Sequence, residues 1–127
     1  MSELGIQHLR QQVEAMMTTH PNVCLVYLFG SQMIGTTGPL SDVDLAVLLT
    51  HGTSMLQAMA ELEHRFAVIL NVRRTNLVVL NQAPIELAYA VIAQGTIIYQ
   101  RSLAKRVEYE AEVMSRYGDY LPFFQAQ

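Results

Sequence analysis

Residues 23–49 read VCLVYLFGSQMIGTTGPLSDVDLAVLL, and this stretch decides the fold of the chain. It opens with the apolar segment Val23–Phe29 and closes with the apolar segment Leu45–Leu49. Both segments are short, contain β-branched or aromatic residues and are bounded by Gly, Pro, Ser or Thr, which is typical of buried strands. We therefore predict two strands joined by a polar, glycine-rich connection.

Four small or polar residues lie where these predicted strands end: Gly30 and Ser31 after the first, Asp42 and Asp44 at the start of the second. Because successive side chains of a strand point to opposite faces, the two carboxylates share one face. Like charges this close repel each other unless a cation lies between them. Carboxylate oxygens suit Mg²⁺, which keeps waters and substrate phosphates as further ligands. The pair therefore predicts a metal site.

The Gly30-Ser31 dipeptide supplies the other half of this site. Glycine lets the backbone come close to a ligand, and Ser31 offers its hydroxyl and its N–H to a phosphate. Taken singly, Gly-Ser is most often a turn and Asp-x-Asp a solvated strand end or a helix N-cap. The combination, with ten residues between the two motifs, is far more specific because both elements face one ligand.

This arrangement resembles the signature of the DNA polymerase β-like nucleotidyltransferase superfamily. The wider sequence LFGSQMIGTTGPLSDVDLAVL is most similar to the minimal bacterial members, the MNT proteins encoded beside HEPN-domain partners. The segments NLVVLNQAP and VIAQGTIIYQR resemble the same family, as does a helical tail with Glu108, Tyr117 and Leu121. The likeness thus extends over nearly the whole chain.

The resemblance implies an antitoxin that transfers AMP from ATP to a tyrosine of a HEPN-domain toxin and so neutralises it. Asp42 and Asp44 would be catalytic residues and Mg²⁺ ligands, with Gly30 and Ser31 binding the nucleotide. The superfamily's third carboxylate falls on Asn76 in this chain. An amide can ligate a metal but cannot accept a proton as a carboxylate does.

Asn76 keeps a second interpretation open: an antitoxin that binds its HEPN partner and catalyses little. A third is a nucleotidyltransferase acting on a small molecule, although the chain is short for the extra substrate-binding domain that this class usually needs. A partner protein is also suggested by the low charged fraction, the seven Met residues and the apolar tail Tyr120, Leu121, Phe123 and Phe124.

Composition indicates one globular domain over residues 1–127, with 51% hydrophobic and 15% charged residues. The net charge of −3 argues against direct nucleic-acid binding, which depends on clustered Lys and Arg. The single cysteine, Cys24, falls in the first predicted strand, where we expect a buried thiol and no disulfide. No stretch has the length of a membrane span and the N-terminus lacks a signal-peptide pattern, so we expect a cytoplasmic protein without a membrane partner.

The remaining periodicities predict a mixed α/β (α+β) domain with helices against a small sheet of about four strands. The predicted elements, in order, are a helix from Ser2 or Glu3 to before Pro21, strands 23–29 and 43–49, a helix from near Ser54, strand 76–80, a helix from Pro84 to Gly95, strand 96–99 and a helix 103–117.

Several details accompany these elements. Asn81 is predicted to cap the helix that begins at Pro84, Gly95 to end it in a left-handed conformation, and Gly118 to stop the last helix. The stripe Met55, Met59, Leu62, Phe66 and Ile69 has helical spacing and indicates a core face. His51 and His64 are expected to be solvated.

Overall fold

The computed structural model describes the backbone of residues 3–29 and 42–125, with side chains at 5–29 and 42–119. Its helices are α1 (Glu3–Met17), α2 (Met55–Leu70), α3 (Ile85–Gln94) and α4 (Leu103–Gln125). Its strands are β1 (Val23–Phe29), β2 (Val43–Leu49), β3 (Thr75–Val79) and β4 (Thr96–Gln100). The predicted order of elements and the α+β class with a four-stranded mixed sheet are confirmed.

The sheet has the strand order β3-β2-β1-β4. β1 runs antiparallel to both of its neighbours, whereas β2 and β3 are parallel and connected through α2. The end of β1 therefore lies beside the beginnings of β2 and β3. This edge of the sheet carries Phe29, Asp44 and Asn76 on adjacent strands.

Helices cover both faces of the sheet. α1 and α2 pack on the face that carries Val26, Leu45 and Val47, and α3 and α4 pack on the face that carries Tyr27 and Ala46. The alternation along β2 puts its odd-numbered residues against α1 and α2 and its even-numbered residues on the other side. Asp44 therefore belongs to the face covered by α3 and α4.

The stripe on α2 packs as predicted. Leu62 and Phe66 are buried, and Met55, Met59 and Ile69 are partly buried against the same core. His51 and His64 are exposed, and Cys24 is a free, buried cysteine. Among the described residues, no helix combines the length and apolar character that crossing a membrane requires.

The prediction that Gly95 adopts a left-handed conformation was wrong. Its backbone is extended, with φ −80° and ψ 171°, because β4 begins at the next residue. Glycine is required there for a different reason: a Cβ would overlap the carbonyl oxygen of Val91 and lie 3.1 Å from that of Leu28. The residue permits close packing between the end of α3 and β1.

Two other predicted boundaries were wrong. α4 continues through Gly118 to Gln125, since one glycine in a helix costs only about 1 kcal/mol relative to alanine. Asn81 does not cap α3, whose N-cap is Pro84. The side chain of Asn81 instead accepts a hydrogen bond from the N–H of Leu49 at 2.9 Å and donates one to the Leu49 carbonyl at 2.8 Å. The amide thus extends the hydrogen-bond ladder where β2 ends.

The outer strands also shift slightly from their predicted bounds, because β3 starts at Thr75 and β4 ends at Gln100.

Candidate active site

The two predicted carboxylates lie at the start of β2. Asp42 immediately precedes the strand and Asp44 is its second residue, so the alternation of the strand directs both to one face. Both are partly exposed. Phe29 pairs with Asp44 across the β1–β2 ladder, so β1 ends beside this carboxylate. Gly30 and Ser31 follow β1 directly in sequence but lie outside the described residues, and their role stays a prediction.

Asn76 lies beside Asp44 on the neighbouring strand. The two residues are register partners in the parallel β2–β3 pair, and Nδ2 of Asn76 donates to Oδ1 of Asp44 at 3.0 Å. A carboxylate only accepts, so the amide nitrogen faces it. To use its oxygen as a metal ligand, the amide has to turn over. Because of this pairing and this hydrogen bond, Asn76, the predicted third position, lies next to the carboxylate pair.

Two arginines that were not predicted from the sequence to belong to the site contact Asp42. Nη2 of Arg73 lies 3.5 Å from Oδ1, and Nε of Arg74 lies 3.8 Å from Oδ2. The signal that could have found them is their position: two consecutive basic residues just before a strand that runs parallel to β2. Within the described residues, the site therefore combines two carboxylates, one amide and two guanidinium groups.

The donor set fits Mg²⁺ better than a metal that needs a closed protein cage. Among the described residues, no three His, Cys, Asp or Glu side chains form a group that could hold a metal. Two carboxylates and an amide oxygen are hard ligands that leave most coordination positions to water and phosphate, as Mg²⁺ prefers. Asp42, Asp44 and, after turning over, Asn76 would hold the ion.

A partly buried polar network ties α4 to the face of the sheet that also carries Asp44. The hydroxyl of Tyr27 on β1 donates to Oε2 of Glu110 at 2.6 Å, and Nε of Arg106 donates to the same oxygen at 3.0 Å. Burial and the hydrogen bond to Glu110 raise the pKa of Tyr27 well above its ordinary value. Tyr27 thus stays a neutral donor and anchors the helix.

Tyr109 on α4 lies near the other end of β2. Burial raises the pKa of Tyr109 to about 12, and its hydroxyl is buried without a hydrogen-bond partner among the described residues. The residue borders two hollows of about 250 and 370 Å³, which share Leu48, Asn81, Tyr109 and Glu112 in their walls. These hollows adjoin the end of β2, whereas Asp42 and Asp44 lie at its start.

A four-stranded mixed sheet with an Asp-x-Asp pair at the start of its second strand is the architecture of a nucleotidyltransferase. The family model described as "Polymerase beta, Nucleotidyltransferase" matches residues 11–104. The chain belongs to this family. A comparison with curated protein sequences finds no significant match.

Solved structures of toxin–antitoxin complexes contain similar chains. One, a toxin–antitoxin with AMP-PNP, is 27% identical with a TM-score of 0.74 over 92% of this chain and 93% of that one. A tri-AMPylated HEPN toxin from Shewanella oneidensis in complex with its MNT antitoxin gives 25% identity and a TM-score of 0.72 over 95% and 93%. The MntA–HepT complex gives 25% and 0.71 over 94% and 93%. The expected likeness to minimal nucleotidyltransferase antitoxins is confirmed.

Proposed function

We propose that this chain is a cytoplasmic antitoxin that transfers AMP from ATP to a tyrosine of a HEPN-domain toxin and thereby neutralises it. The observation that carries the proposal is the pair Asp42 and Asp44 on one face of β2, with Asn76 at 3.0 Å from Asp44. Membership of the nucleotidyltransferase family and the likeness to chains from toxin–antitoxin complexes support it.

In this reaction the tyrosine oxygen forms a bond to the α-phosphorus of ATP, the bond from that phosphorus to its bridging oxygen breaks, and pyrophosphate leaves. When bound, Mg²⁺ neutralises phosphate charge and polarises the P–O bonds. Asp42 and Asp44 would hold this ion and would thereby fix the position of the phosphates. Asn76 cannot accept the tyrosine proton, which passes to water instead. We further propose that Gly30 and Ser31, which follow β1 in the sequence, bind the phosphates.

The partner surface that we propose lies on α4. Leu103, Val107 and Met114 are large apolar residues of this helix, each more than half exposed. Spacings of four and seven residues put them on one stripe, and Ala111 continues it. The charged residues Glu108 and Glu112 lie to one side. A helix of a HEPN toxin packed along this stripe would bury it.

Asn76 favours a second candidate, an antitoxin that holds its toxin and nucleotide but transfers AMP slowly or not at all. The second candidate differs from the first only in the rate of AMP transfer, because Asp42 and Asp44 would still bind the metal and the nucleotide. The comparison of the two candidates therefore needs an assay of transfer as well as assays of binding.

The transfer assay uses the purified chain, a co-expressed HEPN toxin, Mg²⁺ and ATP labelled in the α-phosphate. We expect label on a toxin tyrosine with the native chain and none after Asp42→Ala with Asp44→Ala. Asp119→Ala removes the remaining aspartate, which is exposed on α4, and serves as the matched control. Label transferred equally by the double variant would overturn the enzymatic proposal. Binding of the toxin without any transfer would favour the second candidate.

The partner surface is tested by co-expression and size exclusion. Val107→Glu with Met114→Glu should separate the two proteins, because burying two carboxylates in the interface is unfavourable. Leu56→Glu with Val68→Glu places the same charge on two exposed residues of α2 and should leave the complex intact. Co-elution of the α4 variant with the toxin at micromolar concentration would exclude the stripe as the interface.

A further inference from the structure

Arg73 and Arg74 are positioned by the backbone, beside the carboxylate pair. The N–H of Val43 donates to the carbonyl oxygen of Arg74 at 3.0 Å, and Val43 and Thr75 are register partners. The backbone that carries the two arginines is therefore fixed next to the start of β2. Their side chains lie 3.5 and 3.8 Å from the oxygens of Asp42.

These contacts are weak and easily exchanged. The side chains of Arg73 and Arg74 are 75% and 71% exposed, and that of Asp42 is 29% exposed. Exposed ion pairs of this kind contribute little to stability, since water screens them. A metal ion that takes the oxygens of Asp42 would release both guanidinium groups without a large cost and would repel them from the carboxylate.

A triphosphate at this site needs positive charge beyond that of one metal ion, and the chain offers few sources. No Lys or Arg occurs between Arg10 and Arg65, so the connection after Gly30 and Ser31 contains none. Arg10 donates to the carbonyl of Ile97 on β4, and Arg106 is bound to Glu110. In the part of the chain that the structure describes, Arg73 and Arg74 are the basic residues in contact with the carboxylate pair.

We infer that Arg73 and Arg74 bind the β- and γ-phosphates of the nucleoside triphosphate, and that Asp42 holds them beside the site until a metal ion takes its oxygens. The inference rests on the proposed function, since it assumes a metal–triphosphate complex at Asp42 and Asp44. Guanidinium groups form paired, charge-assisted hydrogen bonds with phosphate oxygens, so release from Asp42 gives them a stronger partner.

The test compares the native chain with Arg73→Gln combined with Arg74→Gln by calorimetric titration with three probes: Mg²⁺ alone, AMP, and AMP-PNP with Mg²⁺. Arg65→Gln combined with Arg101→Gln, at two exposed arginines outside the site, is the matched control for loss of charge. We expect the double variant to bind AMP-PNP with Mg²⁺ about tenfold or more weakly, because charge-assisted hydrogen bonds are lost. Its affinity for AMP, which lacks the outer phosphates, should be unchanged.

Mg²⁺ alone should bind the double variant about two- to fivefold more tightly, because the competing ion pairs with Asp42 are gone. Equal affinity of the native chain and the double variant for AMP-PNP would overturn the arginine inference and leave the proposed function standing. An equal loss of affinity for AMP would overturn the assignment to the outer phosphates. A native chain that binds no AMP-PNP with Mg²⁺ would overturn the proposed function itself, and the arginine inference with it.

Discussion

Asn76 lies directly across the β2–β3 pair from Asp44, with its amide nitrogen 3.0 Å from the carboxylate oxygen. Parallel pairing fixes this neighbourhood, because α2 returns the chain to the same edge of the sheet from which β2 starts. A carboxylate at position 76 would bring a third negative charge to the site. With asparagine at position 76, the carboxylates of the site carry two formal negative charges, and no base is present at this position.

Asn76→Asp should therefore raise the rate of AMP transfer. General-base assistance typically contributes about 10²- to 10⁴-fold, and the added charge should also strengthen metal binding. The measurement is the rate of label transfer to the toxin, together with the rise in Tm that Mg²⁺ produces in each protein. Asp44→Asn is the companion variant and should abolish transfer. Rapid transfer by the native chain that Asn76→Asp leaves unchanged would refute a base requirement at this position.

The same chemical change at two tyrosines should have opposite effects on stability. Tyr27→Phe removes a 2.6 Å hydrogen bond to Glu110 and should lower the free energy of unfolding by about 1.5–3 kcal/mol, the usual range for a bond to a charged group. Tyr109→Phe removes a buried hydroxyl that has no partner among the described residues. This change should raise the free energy of unfolding by about 1 kcal/mol. Urea denaturation measures both. A loss of stability in Tyr109→Phe as large as that in Tyr27→Phe would contradict this difference.

Stability should fall at alkaline pH. Burial raises the pKa of Tyr109 from 10.0 to about 12, so between these values the unfolded chain has lost a proton that the folded chain retains. The contribution of this tyrosine is complete below pH 10 and decreases as pH rises toward about 12. Tyr27, whose pKa is also raised, adds an effect of the same sign.

The pH dependence is checked by urea midpoints across this range. Tyr109→Phe should flatten the decline, because the variant has no proton to lose at that position. A decline of the same slope in native protein and variant would show that other groups cause it.

Two glycines should respond oppositely to alanine. Gly95→Ala introduces a Cβ that overlaps the Val91 carbonyl oxygen, and such overpacking typically costs about 1–3 kcal/mol. Gly118 lies within α4, and a Cβ added there would meet no atom of the described residues within 4 Å outside its own stretch of helix, so Gly118→Ala should stabilise the protein by about 0.5–1 kcal/mol. Thermal unfolding of the two variants should shift Tm in opposite directions. A rise in Tm for Gly95→Ala would show that α3 shifts freely away from β1.

The parts of the fold that follow from periodicity could be predicted from the sequence. β1 and β2 were located to the residue because their apolar segments are bounded in sequence by Gly, Pro, Ser or Thr. The errors at Gly95 and Gly118 share a cause: glycine marks a helix end only when the surroundings do not set the conformation. At Gly95 the adjoining strand sets it, and at Gly118 the helical turns on either side do.

The candidate site could be predicted from the sequence only in part. Asp42 and Asp44 share a face by strand alternation alone, which needs no tertiary information. The register that puts Asn76 beside Asp44 was inferred from the family resemblance. Arg73 and Arg74 reach Asp42 only because β3 pairs in parallel with β2, so their position just before β3 points to the site only once that pairing is known. The roles of Gly30 and Ser31 and the extent of a single domain over residues 1–127 stay predictions.

The strand order also bears on how the chain is made. β1 is a central strand, yet Leu25 pairs with Gln100, which is synthesised after three of the helices. Until β4 emerges, one side of an almost wholly apolar strand lacks its backbone partner and is open to pairing with other nascent chains. A fragment that stops at Gln94 should therefore aggregate or be cleaved by protease at β1 under conditions in which the full chain is protected. The sheet is therefore completed late in biosynthesis. A partner protein can bind the complete sheet only after β4 has been synthesised.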